Sequence, residues 1–348
     1  MVEVNETRSP AAPTSAAGRD VGTVSVVAPV LDEERTLPEF HRRIAAVLDG
    51  FDFELLLVDD GSAEPTRLKL AELASSDPRV KVIRLSRNFG HQAALTAGLD
   101  HARGDLVVMM DSDLQDPPEV IPELIDRWRQ GSDVVYAVRS ERPGETRLKL
   151  VTARWFYRIF SRLAQIDLAQ NAGDFRLLDR SALDVLNSMR ERNRFLRGMT
   201  VWVGFVQTAV PYRRDVRYAG ETKYPPARML RFSLDAISSF SHLPLQLATV
   251  VGFIVSMIAF LGIPVAIALK IAGQIIPGFT TLLLAVLLLG GIQLITVGII
   301  GEYLGRVYDE VKRRPLYVVR ERINAEPAAE PPLADSELAA GPRSELGE

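Results

Sequence analysis

The sequence predicts an open, mostly parallel α/β sheet, followed by an interfacial helix and two membrane-spanning helices. Three observations carry this. Apolar, β-branched runs alternate with helical periodicities through roughly the first 140 residues, as parallel strands and crossover helices do. Acidic clusters stand at the ends of the first, second and fourth runs, where an open α/β sheet forms its ligand crevice. Two long uncharged stretches lie near the C-terminus, each above the roughly 20 residues needed to cross a bilayer.

Composition narrows the classes. A chain of 348 residues with 47% hydrophobic content can bury a large core and hold more than one domain. The net charge of −3 supplies no basic field, so nucleic acid is not an expected partner. The absence of cysteine excludes disulfides, thiolate metal sites and a cysteine nucleophile. Residues 1–22 lack the apolar core of a secretory signal and read as a disordered tail, as does the acidic, Ala/Pro-rich stretch 325–348.

Taken in order, Thr23 to Val30 is the first core strand, and it runs into Leu31-Asp32-Glu33-Glu34. Leu37, Phe40, Ile44, Val47 and Leu48 then mark one side of a helix over Thr36 to Leu48. Phe53 to Val58 is a second buried strand, ending in Asp59-Asp60-Gly61-Ser62. Carboxylates at such a tip can accept from ribose hydroxyls or a base N–H. Val80 to Leu85 is the third strand, and Arg87-Asn88-Phe89-Gly90-His91-Gln92 opens a helix reaching His101. The fourth strand, Asp105 to Met110, ends in Asp111-Ser112-Asp113-Leu114-Gln115-Asp116. If the chain stays extended there, Asp111, Asp113 and Gln115 share a face. Oxygen ligands at a strand's carboxyl end suit a hard divalent cation carrying a diphosphate. Pro117 and Pro118 then start a helix over Glu119 to Arg129, and Asp133 to Val138 is the fifth strand. Neither G-x-G-x-x-G after the first strand nor G-x-x-x-x-G-K-[ST] occurs, so metal and side chains must hold phosphates.

Leu148 to Ile166 interleaves aromatics with Lys149, Arg154, Arg158 and Arg162, as either an ordinary amphipathic helix or one lying on an anionic membrane. A helix over Ser181 to Met189 and a strand over Thr208 to Tyr212 follow. The segment from Tyr212 to Tyr224, with Arg213, Arg214, Arg217 and Lys223, is a basic loop able to fold over a phosphorylated ligand or to stay solvated. Residues 227–242 read as an interfacial helix. The uncharged stretches are Leu245 to Leu269 and Phe279 to Gly301, within a two-helix segment 243–302. Lys and Arg flank both outer ends, including Arg228, Arg231, Arg306 and Lys312, while the connecting loop offers only Lys270. The α/β domain (23–226), the juxtamembrane segment (303–324) and both termini are therefore expected on the cytoplasmic side of the cell membrane.

Six segments in sequence resemble the polyprenyl-phosphate glycosyltransferases of the inverting glycosyltransferase family 2. They are DDGS at Asp59, RNFGHQAAL at Arg87, DSDLQDPPE at Asp111, NAGDFRLLDR at Asn171, AGETKYP at Ala219 and IGEYLGRVYDEVKRRPLYVV at Ile300. Two C-terminal spans match the bactoprenol glucosyltransferase branch. The family's first-strand motif P-V-Y-N-E-E reads PVLDEE here from Pro29, without the aromatic that could lie flat on a base. The processive-synthase signature Q-x-x-R-W is absent.

The resemblance implies a GT-A-type (Rossmann-like) domain that moves a hexose from a nucleotide diphosphate sugar to a polyprenyl phosphate, inverting at the anomeric carbon. Glucose from UDP-glucose is the expected donor, with mannose from GDP-mannose as the alternative. A non-catalytic nucleotide-sugar-binding membrane module is a further alternative. Asp113, with Gln115 and Asp111, would hold Mg²⁺ or Mn²⁺. Pro29, Glu33, Asp59, Asp60, Asp111 and Ser112 would contact the nucleotide sugar. Arg139, Arg214, Arg217 and Lys223 would receive the acceptor phosphate. Catalysis would rest on Asp113, Asp174 and Arg139, and a homo-oligomer, a tetramer, is implied.

Overall fold

The computed structural model describes residues 19–140, 172–214, 243–272 and 278–328. The chain divides into two compact units: the sheet with everything packed on it, including the segment from Pro315, and the helical segment ending at Arg314.

The first unit is built on one eight-stranded sheet. Strands β1 (Val24–Val30), β2 (Phe53–Asp59), β3 (Val80–Leu85), β4 (Leu106–Met109) and β5 (Val134–Arg139) fall where the apolar runs place them. Three more join them: β6 (Ala172–Asp179), β7 (Gln207–Tyr212) and β8 (Val319–Ile323). Their spatial order is β7-β5-β6-β4-β1-β2-β3-β8. Parallel pairing joins β4-β1-β2-β3 and β5-β7. The sheet is nevertheless mixed, because β6 runs antiparallel to both neighbours and β8 runs antiparallel to β3. Six of the eight strands still point one way, so the sheet is mostly parallel as expected, with β6 and β8 the reversed strands. The β6 sequence GDFRLLD alternates weakly and carries Asp174 and Arg176, so its apolar run is too broken to announce a strand.

Helices α1 (Leu37–Val47), α2 (Glu64–Ser76), α3 (His91–His101) and α4 (Ile121–Arg129) link the first five strands. Helices α5 (Arg180–Ser188) and α6 (Leu196–Trp202) lie between β6 and β7. The core collects Val24, Val26, Phe40, Ile44, Leu55, Leu57 and Trp128, all buried. On the other face α3 approaches closely: a Cβ on Gly98 would sit 2.2 Å from Val27 Cγ1 and 3.1 Å from Val58 Cγ2. That approach fixes the height of His91 at the helix's N-terminal end.

The edge at β3 is closed from the far end of the chain. Ser86 N donates to Val318 O (2.9 Å), Arg84 Nη1 to Glu321 Oε2 (2.9 Å), and Asn324 Nδ2 to Ala74 O and Val80 O. Tyr317 OH adds a bond to Asp100 Oδ2 (2.8 Å) at the end of α3. Residues 303–324, expected as a juxtamembrane segment, are therefore shared between a helix and the sheet.

The second unit contributes α7 (Leu243–Ile271) and α8 (Phe279–Val311). Among the described residues one stretch, Leu288–Val311, is long and apolar enough to cross a membrane. The described apolar stretch of α7, Thr249–Gly262, is shorter. The interfacial helix expected over 227–242 and the amphipathic stretch from Leu148 lie outside the described residues.

Candidate active site

The site forms where β4 stops. Met110 N donates to Val27 O (3.1 Å), and the chain then turns instead of continuing extended. Asp113 Oδ1 accepts the amide of Gln115 (3.1 Å), an Asx turn, and Leu114 takes left-handed backbone (φ 60°) with its side chain buried. The extended run in which Asp111, Asp113 and Gln115 share a face is thus corrected. A short acidic side chain offers the backbone a local acceptor that competes with strand geometry. Ser112 Oγ donates to Pro29 O (2.8 Å) and pins this turn to the end of β1.

From β6, Asp174 reaches the same edge. Its Oδ1 accepts from Arg197 Nε (2.7 Å) and its Oδ2 from Arg197 Nη2 (3.0 Å), the planar fork that a guanidinium presents to a carboxylate. His91 Nε2 stands 3.2 Å from Asp174 Oδ2 and 3.6 Å from Asp111 Oδ1. Burial opposes ionisation of Asp174, but Arg197 and His91 outweigh it and hold its carboxyl well below the usual carboxylate range. Burial likewise opposes charging of His91, yet the bond to Asp174 and the field of Asp111 raise its pKa. Beneath them Arg176 donates to Gly173 O (2.8 Å) and to Thr200, and burial pushes its guanidinium down to about 10.

A second cluster forms at the ends of β5 and β7, where Arg139 and Tyr212 are paired in register. Tyr212 OH donates to Asp116 Oδ1 (2.5 Å), and Arg139 Nε donates to Tyr212 OH (3.2 Å). Arg214 Nε lies 3.4 Å and Arg139 Nη2 3.9 Å from the same Asp116 oxygen.

Burial first, then the nearby Asp174, Asp116 and Asp113, push Asp111 up to about 6, against the lowering by His91. Among the described residues no group of three or more His, Cys, Asp or Glu is placed to hold a metal by itself. The carboxylates of this turn are hard oxygen donors of the kind a divalent ion takes, and Asp111 keeps a partly exposed side chain at the crevice.

Comparison with known proteins identifies the group. The profile described as Glycosyl transferase family 2 matches residues 25–186. A glycosyltransferase of Bacillus subtilis (YkcC) is 48% identical over 87% of this chain and 94% of its own length. The prophage bactoprenol glucosyl transferase homolog of Escherichia coli is 41% identical over 85% of this chain and 98% of its own. The chain belongs to glycosyl transferase family 2. It is a glycosyltransferase, and its sheet is the family's GT-A-like fold. The bactoprenol glucosyl transferase of Shigella phage SfII is also 41% identical, over 87% of this chain and 99% of its own. Glucosyl-3-phosphoglycerate synthase of Mycobacterium tuberculosis, solved with Mn²⁺, UDP and phosphoglyceric acid, aligns at TM-score 0.45. That alignment is 23% identical and covers 62% of this chain and 76% of that one.

Within this family 2 site, several residues read as donor contacts carry internal bonds. Asp60 accepts from Phe89 N (2.7 Å) and Gly90 N (3.0 Å), bracing the loop that opens α3. Asp59 Oδ1 accepts from Ser62 N (2.7 Å), while its buried Oδ2 has no hydrogen bond and lies 3.8 Å from Arg84 Nε. Glu33 accepts from Thr36 Oγ1 (2.8 Å) at the start of α1. Arg217 and Lys223 lie outside the described residues. Three participants escaped the sequence reading: His91, Arg197 and Tyr212. His91 sits inside the recognised RNFGHQAAL segment, which was its available signal. Nothing local marks Arg197, a single arginine on the short helix α6.

Proposed function

We propose that this glycosyltransferase moves glucose from UDP-glucose to a polyprenyl phosphate at the cytoplasmic face of the cell membrane, with inversion. The observation that carries the reading is the pairing, at one sheet edge, of an acidic turn with a two-arginine cluster. The first suits a metal-bound diphosphate and the second an anionic acceptor. Relatives 41% identical to this chain, matched over nearly their full lengths, are named as bactoprenol glucosyl transferases, which supports the acceptor class.

In this reading Asp111, Asp113 and Gln115 hold Mg²⁺ or Mn²⁺. When bound, the metal neutralises charge developing on the leaving nucleoside diphosphate. A phosphate acceptor needs no general base: with a second pKa of about 6 it is largely dianionic at neutral pH. Its oxygen forms the new bond to the anomeric carbon as the bond to the diphosphate breaks, and opposite-face attack inverts that centre. Arg139 and Arg214, with Arg217 and Lys223, offset the repulsion between two anionic substrates. Asp174, held by Arg197 and His91, orients the sugar side of the crevice.

The lipid acceptor accounts for the helices. Exposing a polyprenyl tail costs about 0.8 kcal/mol per CH₂, so transfer belongs at the bilayer. We read α7 as a second span beside the stretch Leu288–Val311, and the assembly as a homo-oligomer. The test is to incubate membranes containing the protein with UDP-glucose, Mn²⁺ and polyprenyl phosphate. UDP release and an organic-soluble glucosyl lipid, both dependent on the added lipid, are expected. UDP release indifferent to lipid phosphate would overturn the acceptor.

A further inference from the structure

The acidic turn contains one carboxylate that faces away from the metal role. Asp116 is almost fully buried, its side chain 2% exposed, whereas Arg139 and Arg214 keep 27% and 30% of theirs. One hydrogen-bond donor, the Tyr212 hydroxyl, and two guanidinium charges, those of Arg139 and Arg214, converge on a single oxygen. The supports are stiff. Arg139 and Tyr212 end two strands paired in register, and the Tyr212 ring meets Phe175 edge-on (5.9 Å, 84°). A Cβ on Gly173 would come within 3.3 Å of Arg139 Nη2, so glycine leaves that guanidinium its place. Arg214 Nε is buried, makes no hydrogen bond among the described residues, and lies at ion-pair distance from Asp116 Oδ1.

A buried carboxylate beside two cations has an ordinary structural reading, as an ion pair that closes the sheet edge. Two features argue for more. Among the described residues one carboxylate faces two guanidiniums, which leaves a net positive charge on partly exposed side chains. Asp116 is also covalently adjacent to Gln115, in the turn that carries Asp111 and Asp113. A shift of that turn therefore moves the anchor of both arginines.

We propose that Asp116, through the Tyr212 hydroxyl, is a positioning residue that holds Arg139 and Arg214 in register with the metal-binding turn and so sets the acceptor phosphate against the donor diphosphate. This rests on the reading of the acceptor as a polyprenyl phosphate.

The test compares Asp116→Asn and Tyr212→Phe in the full-length protein in membranes. KM for polyprenyl phosphate and kcat are measured, with the affinity for UDP in Mn²⁺ measured separately. Asp116→Asn is expected to raise the KM for polyprenyl phosphate, or lower kcat/KM, by roughly tenfold, the size of one charge-assisted contact. UDP affinity should stay within about twofold. Tyr212→Phe should move the same parameter by a few-fold, and the double variant should be no worse than Asp116→Asn alone, because both act through one network. A merely structural ion pair would lower thermal stability and leave the lipid parameters alone. That result overturns the proposal, as does an equal fall in UDP and lipid efficiency. If Asp116→Asn does not fold, Tyr212→Phe decides, and an unchanged lipid KM and kcat would refute the role. Failure of the wild type to use lipid phosphate takes down the acceptor reading itself. A working wild type with unaffected variants takes down this inference alone.

Discussion

Replacing Asp174 by Asn removes one charge and almost no volume, so its effect isolates electrostatics. The carboxylate is 5% exposed and receives Arg197 at 2.7 and 3.0 Å and His91 at 3.2 Å. The amide keeps one acceptor oxygen and turns an NH₂ toward a donor, so at least one charge-assisted contact is lost. Such contacts are worth about 1.5–3 kcal/mol. The Arg197 side chain is 36% exposed, and solvent screening places the loss near the lower end, about 2 kcal/mol. Expressed fully in the barrier, that is about 30-fold in kcat. Arg197→Lys keeps the charge but not the fork, and a smaller loss of about fivefold is expected. The assay is turnover at saturating donor and lipid, with thermal unfolding of the same preparations alongside. Turnover of Asp174→Asn within threefold of wild type, at an unshifted midpoint, would refute the view that this carboxylate organises the site.

Asp113→Asn should abolish transfer while leaving the protein folded and membrane-inserted, and excess EDTA should do the same to the wild type. Near-normal turnover of the variant in saturating Mg²⁺ or Mn²⁺ removes Asp113 from the mechanism. Gly98→Ala should lower the unfolding midpoint by a few degrees. Overpacking against Val27 costs about 1–3 kcal/mol, offset by up to about 1 kcal/mol of helix propensity. A raised midpoint would show that α3 yields without cost. In intact cells a tag inserted between Gly273 and Gly278 should be labelled from outside, with both termini protected. The reverse pattern would place the catalytic domain away from a cytoplasmic donor.

The sheet's first five strands were legible because each is a short apolar run bounded by turn residues, a signal that does not depend on its neighbours. β6 and α6 were not legible, since their polar residues, Asp174, Arg176 and Arg197, answer to one another across 20 or so positions instead of to a local period. The same division holds in the site. Asp111, Asp113 and Gln115 stand out in sequence as oxygen-bearing residues at a strand end, while the turn at Asp113 and Leu114 that sets their directions does not. Which arginine meets which carboxylate is a property of strand order, and the β7-β5-β6-β4 arrangement that brings Arg139, Tyr212 and Asp116 together cannot be read from any single segment. Asp59 and Asp60 show the converse: their motif is plain in sequence, while the tertiary structure engages them with the loops around Ser62 and Phe89.

The pairing of β8 with β3 sets a timetable for biosynthesis. Arg84 and Glu321, bonded across that edge, are 237 residues apart in the chain. At about 5–20 residues per second, the ribosome leaves β3 without its partner for on the order of tens of seconds. During that interval α7 and α8 are made while the row of amide and carbonyl groups on β3 stays open to any passing strand. A chain cut short after Val311 would keep that raw edge permanently. Completion of the sheet therefore reports that α7 and α8 have already been synthesised, so the eighth strand and both helices arrive together.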